Sequence, residues 1–139
     1  WWWEMSLSRT DARKKAMTIL YQIFLYEKNK IDYNFDEVIK ENLDSIDNFV
    51  LELVHGVIDN KSDIDNFANK YLDNWELRRL GLTDQAIIRI AIYELLYTDI
   101  DGKVAIDEAI NISKEYCDEK IVKMINGVLD KIYHMNDDK

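Results

Sequence analysis

TDQAIIRIAIYELLY, residues 83–97, decides the fold class. Its apolar residues Ala86, Ile87, Ile90, Ala91, Tyr93 and Leu95 recur at the three- and four-residue intervals of an amphipathic helix, not at the alternation of a strand. Gly81 ends what precedes it, and Thr83 has the side chain of an N-cap.

The same period extends in both directions. Upstream, Ala12, Ala16, Ile19, Leu20, Ile23 and Phe24 form one stripe; downstream, Ile121, Ile125, Val128, Leu129 and Ile132 form another. NKIDYN (29–34) separates the first helix from a short one over 35–42. Asp44 or Ser45 is expected to cap a helix running to about Ile58, and Ser62 or Asp63 the next, to about Leu72. DIDGK (99–103) turns at its Asp-Gly pair, and Asp118 caps the last helix. About seven helices and no convincing strand make the chain all-α. Its 139 residues suit one domain with a single core. Residues 5–139 are read as that domain, with Met5 as the natural start and Trp1–Glu4 as an appended leader foreign to the fold.

Composition narrows the function. A net charge of -9 argues against nucleic-acid binding through the bulk surface, so any such contact needs a local basic patch. Cys117 is the one cysteine, which leaves no internal disulfide and no cysteine metal knuckle, in keeping with a reducing, cytoplasmic setting. No run approaches the roughly 18 apolar residues that span a bilayer, so no membrane partner is expected. His55 and His134 are far apart and read as surface or helix-end residues; no metal site is expected. There is no phosphate-cradling glycine loop and no nucleophile elbow. Asp107 and Glu108 read as an exposed first turn. Nothing calls for catalytic residues or a cofactor, and Cys117 reads as an inert, partly buried thiol.

One patch breaks the acidic pattern. Arg9, Arg13, Lys14 and Lys15 fall within seven residues, against the single acid Asp11. On a wheel of 100° per residue with Arg9 at zero, Leu20, Arg13 and Phe24 lie at roughly 20°, 40° and 60°. The arginines thus continue the apolar stripe. Asp11 and Lys15, four apart, are expected to pair and leave Arg9, Arg13 and Lys14 free. Cations oppose the dipole at a helix start, whereas an anion such as phosphate suits it. Charge alone favours a solvated face with no partner.

The segments ARKKAMTILYQ (12–22), ELVHGVIDN (52–60), YLDNWELRRLGLTDQAIIRIAIYELLY (71–97), KVAIDEAINISKEY (103–116) and KMINGVLDKI (123–132) together resemble the NusB family of bacterial transcription antitermination factors. The resemblance runs colinearly from about residue 8 to 133. It implies two small helical bundles packed across each other and a non-enzymatic protein. It also implies binding of boxA-type RNA from ribosomal RNA leaders, together with the ribosomal protein NusE, on the RNA polymerase elongation complex.

That resemblance reverses the reading of the basic patch. Arg9 and Arg13, with Ala12 between them, match the family's RxxAR element, and Lys14 adds charge beside them. Thr10 and Asp11 stand where relatives often carry more arginine. Lys123 and Asn126, neighbours on one helical face, are the second RNA element; Gly127 beside them serves either helix packing or close approach of a ligand. Tyr21 and Asp84 correspond to an exposed surface for the protein partner. Because Arg9 and Arg13 precede the core stripe, removing both is expected to leave folding nearly intact. The competing function is a helical protein–protein adaptor with little RNA affinity. A third, the appendage of an RNA-modifying enzyme, is disfavoured because no catalytic domain follows Lys139.

Overall fold

The computed structural model describes residues 7–137, so the leader assigned to Trp1–Glu4 lies outside the described residues. Seven α-helices make up the described chain: α1 Arg9–Lys28, α2 Phe35–Asn42, α3 Asn48–Asp59, α4 Lys61–Tyr71, α5 Leu82–Tyr97, α6 Gly102–Tyr116 and α7 Glu119–Asp137. A 3-10 turn, Leu77–Arg79, precedes α5.

Local chemistry explains most of the boundaries. The Ser8 hydroxyl accepts from the Asp11 N–H at 3.1 Å and starts α1, and Asp118 accepts from the Ile121 N–H at 3.0 Å and starts α7. Helix α1 ends with Lys30 at φ 56° while the Ile31 N–H donates back to the Tyr26 carbonyl, the hydrogen-bond pattern of a Schellman stop. Three expected caps shift, and the expected turn at 99–103 supplies a fourth. Asp47, not Asp44 or Ser45, accepts from the Val50 N–H and opens α3. Asn60 ends α3 and begins α4 at once, so Ser62 and Asp63 lie inside the helix. Gly81 precedes α5 without a side-chain cap, placing Thr83 in its first turn. Asp101 caps α6 through the Lys103 N–H, so Gly102 is helical. Helix α3 thus starts later than the local signal, whereas α4 and α5 start earlier.

Helices α1, α2 and α3 pack together on one side, and α4, α6 and α7 on the other; α5 touches α1, α3, α4, α6 and α7. The amphipathic reading of α5 therefore fails. All eleven residues from 85 to 95 are buried, as a helix surrounded by partners requires. Its polar members are each satisfied. The Gln85 amide donates to the Leu80 carbonyl at 2.8 Å, Arg89 grips Asp65, and Glu94 accepts from Arg13.

Candidate nucleic-acid interface

Helix α1 brings its cations to three different environments. Arg13 is 4% exposed. Its Nε lies 3.0 Å from both Glu94 carboxylate oxygens, its Nη2 donates to Glu94 at 2.6 Å, and its Nη1 donates to Glu108 at 3.0 Å. The Thr10 hydroxyl donates to the same Glu108 oxygen at 2.6 Å. The expectation of a free Arg13 is thus corrected. A guanidinium in line with an apolar stripe goes where the stripe goes, and there it needs a buried anion. Glu94, 1% exposed in the middle of α5, is that anion. Burial pushes its carboxyl above the ordinary range, and the hydrogen bonds and charge of Arg13 pull it back. Glu108 falls in the second turn of α6 and faces α1, so it is half-buried and not the exposed first-turn acid expected.

Lys14 reaches Glu115 on α6 at 2.8 Å, and this hydrogen bond holds its ammonium above the usual lysine range. It too is not free. The expected Asp11–Lys15 pair does not form among the described ion pairs. Arg9 is exposed, and its guanidinium carbon lies 4.0 Å above the centroid of the Phe49 ring on α3. Arg13 is 5.3 Å from the same centroid.

The second element lies open. Lys123, Asn126 and Gly127 are all exposed on α7. A Cβ built on Gly127 meets no atom within 4 Å, so packing inside the fold does not explain this glycine. Gly56 is the opposite case: a Cβ there collides with the Tyr93 ring.

Of the two residues assigned to a protein partner, Tyr21 is 39% exposed. Asp84 is half-buried and accepts from the Cys117 thiol at 2.9 Å, tying the end of α6 to the start of α5. Burial, then this carboxylate, pushes the thiol up to about 12, which makes it a poor nucleophile. His55 is exposed with its ring 4.8 Å from that of Phe35, and His134 lies 3.2 Å from Asp130. Among the described residues no cluster of three or more metal-binding side chains occurs, and no helix is long and apolar enough to cross a membrane.

Comparison with known proteins decides the family. Residues 10–134 match the NusB family. The chain belongs to the NusB family. It is 40% identical over 134 residues to a transcription antitermination protein NusB of Ligilactobacillus salivarius, covering 92% of this chain and 99% of the relative. It is also 40% identical over 128 residues to the Listeria innocua NusB, covering 91% and 96%. Among solved structures it resembles T. maritima NusB, with a TM-score of 0.79 and 34% identity over 94% of this chain and 93% of that one. It also resembles a chain from the crystal structure of the antitermination factors NusB and NusE in complex with dsRNA, with a TM-score of 0.76 and 27% identity over 91% and 96%.

Three groups that matter at this NusB site escaped the sequence reading: Glu94, Glu108 and Phe49. Two left a signal. An arginine at a core position of α1 and a glutamate inside the apolar run AIYELL are each too costly to bury alone, and opposite buried charges pair. Phe49 left none, because its meeting with Arg9 joins helices distant in sequence.

Proposed function

We propose that this chain is an RNA-binding transcription antitermination factor. It binds boxA-type RNA together with NusE and supports elongation by RNA polymerase. Its role is non-catalytic and cytoplasmic, and residues 5–139 act as one RNA-binding domain. Family membership supplies the class of function, and the named NusB–NusE–dsRNA neighbour supports the choice of partners.

The observation that carries the reading is Gly127. A glycine in the middle of a helix costs roughly 0.5–1 kcal/mol relative to alanine. With open space above it, the fold gains nothing in return. The compensation lies outside the chain, in a ligand backbone that approaches closely between Lys123 and Asn126. Arg9 supplies the matching contact at α1. Arg13 acts by positioning: it fixes α1 to α5 and α6 and so places Arg9. Lys14 contributes when a phosphate competes with Glu115. Tyr21 and Asp84 face NusE, with Asp84 already engaged by Cys117.

One observation favours the adaptor alternative. Arg13 and Lys14 each have a carboxylate partner, which lowers the positive potential at the start of α1. Fluorescence anisotropy with a boxA-type RNA, with and without NusE and at two salt concentrations, separates the two readings. The RNA-binding reading expects NusE to tighten binding and the affinity to fall steeply with salt. NusE binding with no RNA binding, alone or in the complex, would leave only the adaptor.

A further inference from the structure

We propose that the groove beside Phe49 is a pocket for a single unpaired guanine base of the bound RNA. The proposal rests on the RNA-binding reading above and adds a base-specific subsite to it. The groove is about 550 Å³ and lies between the start of α1, the start of α3 and the α5–α6 connection. Arg9, Phe49, Glu52, Asp99, Val104 and Glu108 line it.

Three features select the occupant. The first is the platform. Phe49 lines the groove with the Arg9 guanidinium 4.0 Å above its ring, and an entering base displaces that planar group toward the rim and takes its place on the ring. Val104, 47% exposed on the same groove, offers an apolar wall.

The second is the acceptors. Glu52 and Asp99 are exposed, line the groove and take part in no ion pair among the described residues. An ionised carboxylate only accepts hydrogen bonds. Guanine presents two adjacent donors, the ring N–H and the amino group, which one carboxylate can take together. Uracil offers one N–H between two carbonyl oxygens, and adenine and cytosine one amino group beside a ring acceptor.

The third is the phosphate. The groove's carboxylates repel it, so it must lie outside. Arg9 stands at the boundary with a second groove lined by Leu7, Ser45, Ile46, Asp47, Asn48 and Phe49, where its guanidinium can meet the backbone of the same nucleotide.

The test uses the full chain with NusE and fluorescein-labelled dodecauridine carrying one central guanosine, inosine or adenosine. Anisotropy should give the guanosine strand at least about fivefold tighter binding than the adenosine strand, with inosine, which lacks the amino group, between them. Phe49→Leu should weaken the guanosine strand by about fivefold or more, the range of one lost base–aromatic stack. Phe49→Tyr should retain binding, which separates stacking from folding. Glu52→Gln with Asp99→Asn should bring guanosine down to the level of adenosine. Unchanged binding by Phe49→Leu, or an intact guanosine preference in the carboxylate double variant, overturns the proposal. If Arg9→Ala weakens RNA binding while these variants do not, the base pocket alone fails. A complex that binds none of the strands nor boxA-type RNA removes the RNA reading and the pocket with it. Weakened NusE binding in the carboxylate variant, with RNA selectivity unchanged, would instead make the groove a cradle for a cationic side chain of that protein and overturn the proposal.

Discussion

The start of α1 and the exposed face of α7 carry the same kinds of residue for opposite ends. At α1, Arg13 is held by Glu94 and Glu108, and Lys14 by Glu115. At α7, Lys123 and Asn126 stand in solvent around a glycine that nothing in the fold approaches. On the function proposed above, the paired cations Arg13 and Lys14 report mainly on stability, and the unburied Lys123 on binding. A cluster of basic letters in a sequence does not distinguish these roles, because the carboxylates that decide between them come from other helices.

The largest effect should come from Arg13→Ala, which breaks this contrast at its buried end. Removing one partner of a buried pair costs about 3–5 kcal/mol, because it leaves the other charge uncompensated. Urea unfolding should show the loss, and this replaces the expectation that folding stays nearly intact. The sign of its pH dependence follows from Glu94. Burial already raises its folded pKa, and loss of Arg13 raises it further. The protonated form is then the one the fold favours, so the stability deficit should be smallest below the ordinary carboxylate pKa. It should grow as pH rises through the raised folded value. A deficit that is the same at pH 4 and pH 7 would mean that Glu94 is not the group left exposed to the change.

Arg9→Ala tests the one α1 arginine that is exposed. Boxa-type RNA binding should weaken by about 1–3 kcal/mol, the scale of a charge-assisted hydrogen bond. The salt slope should fall by roughly one unit. Stability should drop by only about 0.5–1 kcal/mol, from the lost contact with Phe49. A large loss of stability with unchanged RNA affinity would put Arg9 in the same class as Arg13.

Gly127→Ala sharpens the other end. Thermal unfolding should show a gain of roughly 0.5–1 kcal/mol, since the added methyl meets open space, while RNA affinity should fall. A variant that is more stable and binds equally well would remove the reason given for the glycine. Asp11→Arg should have the smallest effect. It places a cation in the first turn of α1, costing about 0.3–1 kcal/mol of stability against the helix dipole. The salt slope of RNA binding should steepen by about one unit; an unchanged slope would mean that this turn does not meet RNA.

Much of the fold was legible in the sequence because helices announce themselves locally. Hydrophobic period, the Asp118 cap and the break at 29–34 all arise from residues within one or two turns of each other. The all-α class and the approximate helix positions followed from that, and the family from the resemblance of five colinear segments. The caps at Asp47 and Asn60 were missed for the same reason in reverse: several residues can cap, and packing selects one. The sequence also held a partial account of the site. It placed Arg13 in line with Leu20 and Phe24 and put Glu94 inside an apolar run, so two charges bound for the interior were visible.

The sequence by itself therefore determined the helical class, the family and the residues from which an RNA face can be built. Only the tertiary structure decided which of those residues are at liberty to bind. That choice depends on distances between side chains 81 and 95 positions apart, as for Arg13 with Glu94 and Glu108. It also depends on the open space around Gly127, a property of what the other helices leave uncovered. Pairing energy falls off over a few ångströms and changes sign with burial, so a charge has no fixed role until the packing of its neighbours is known.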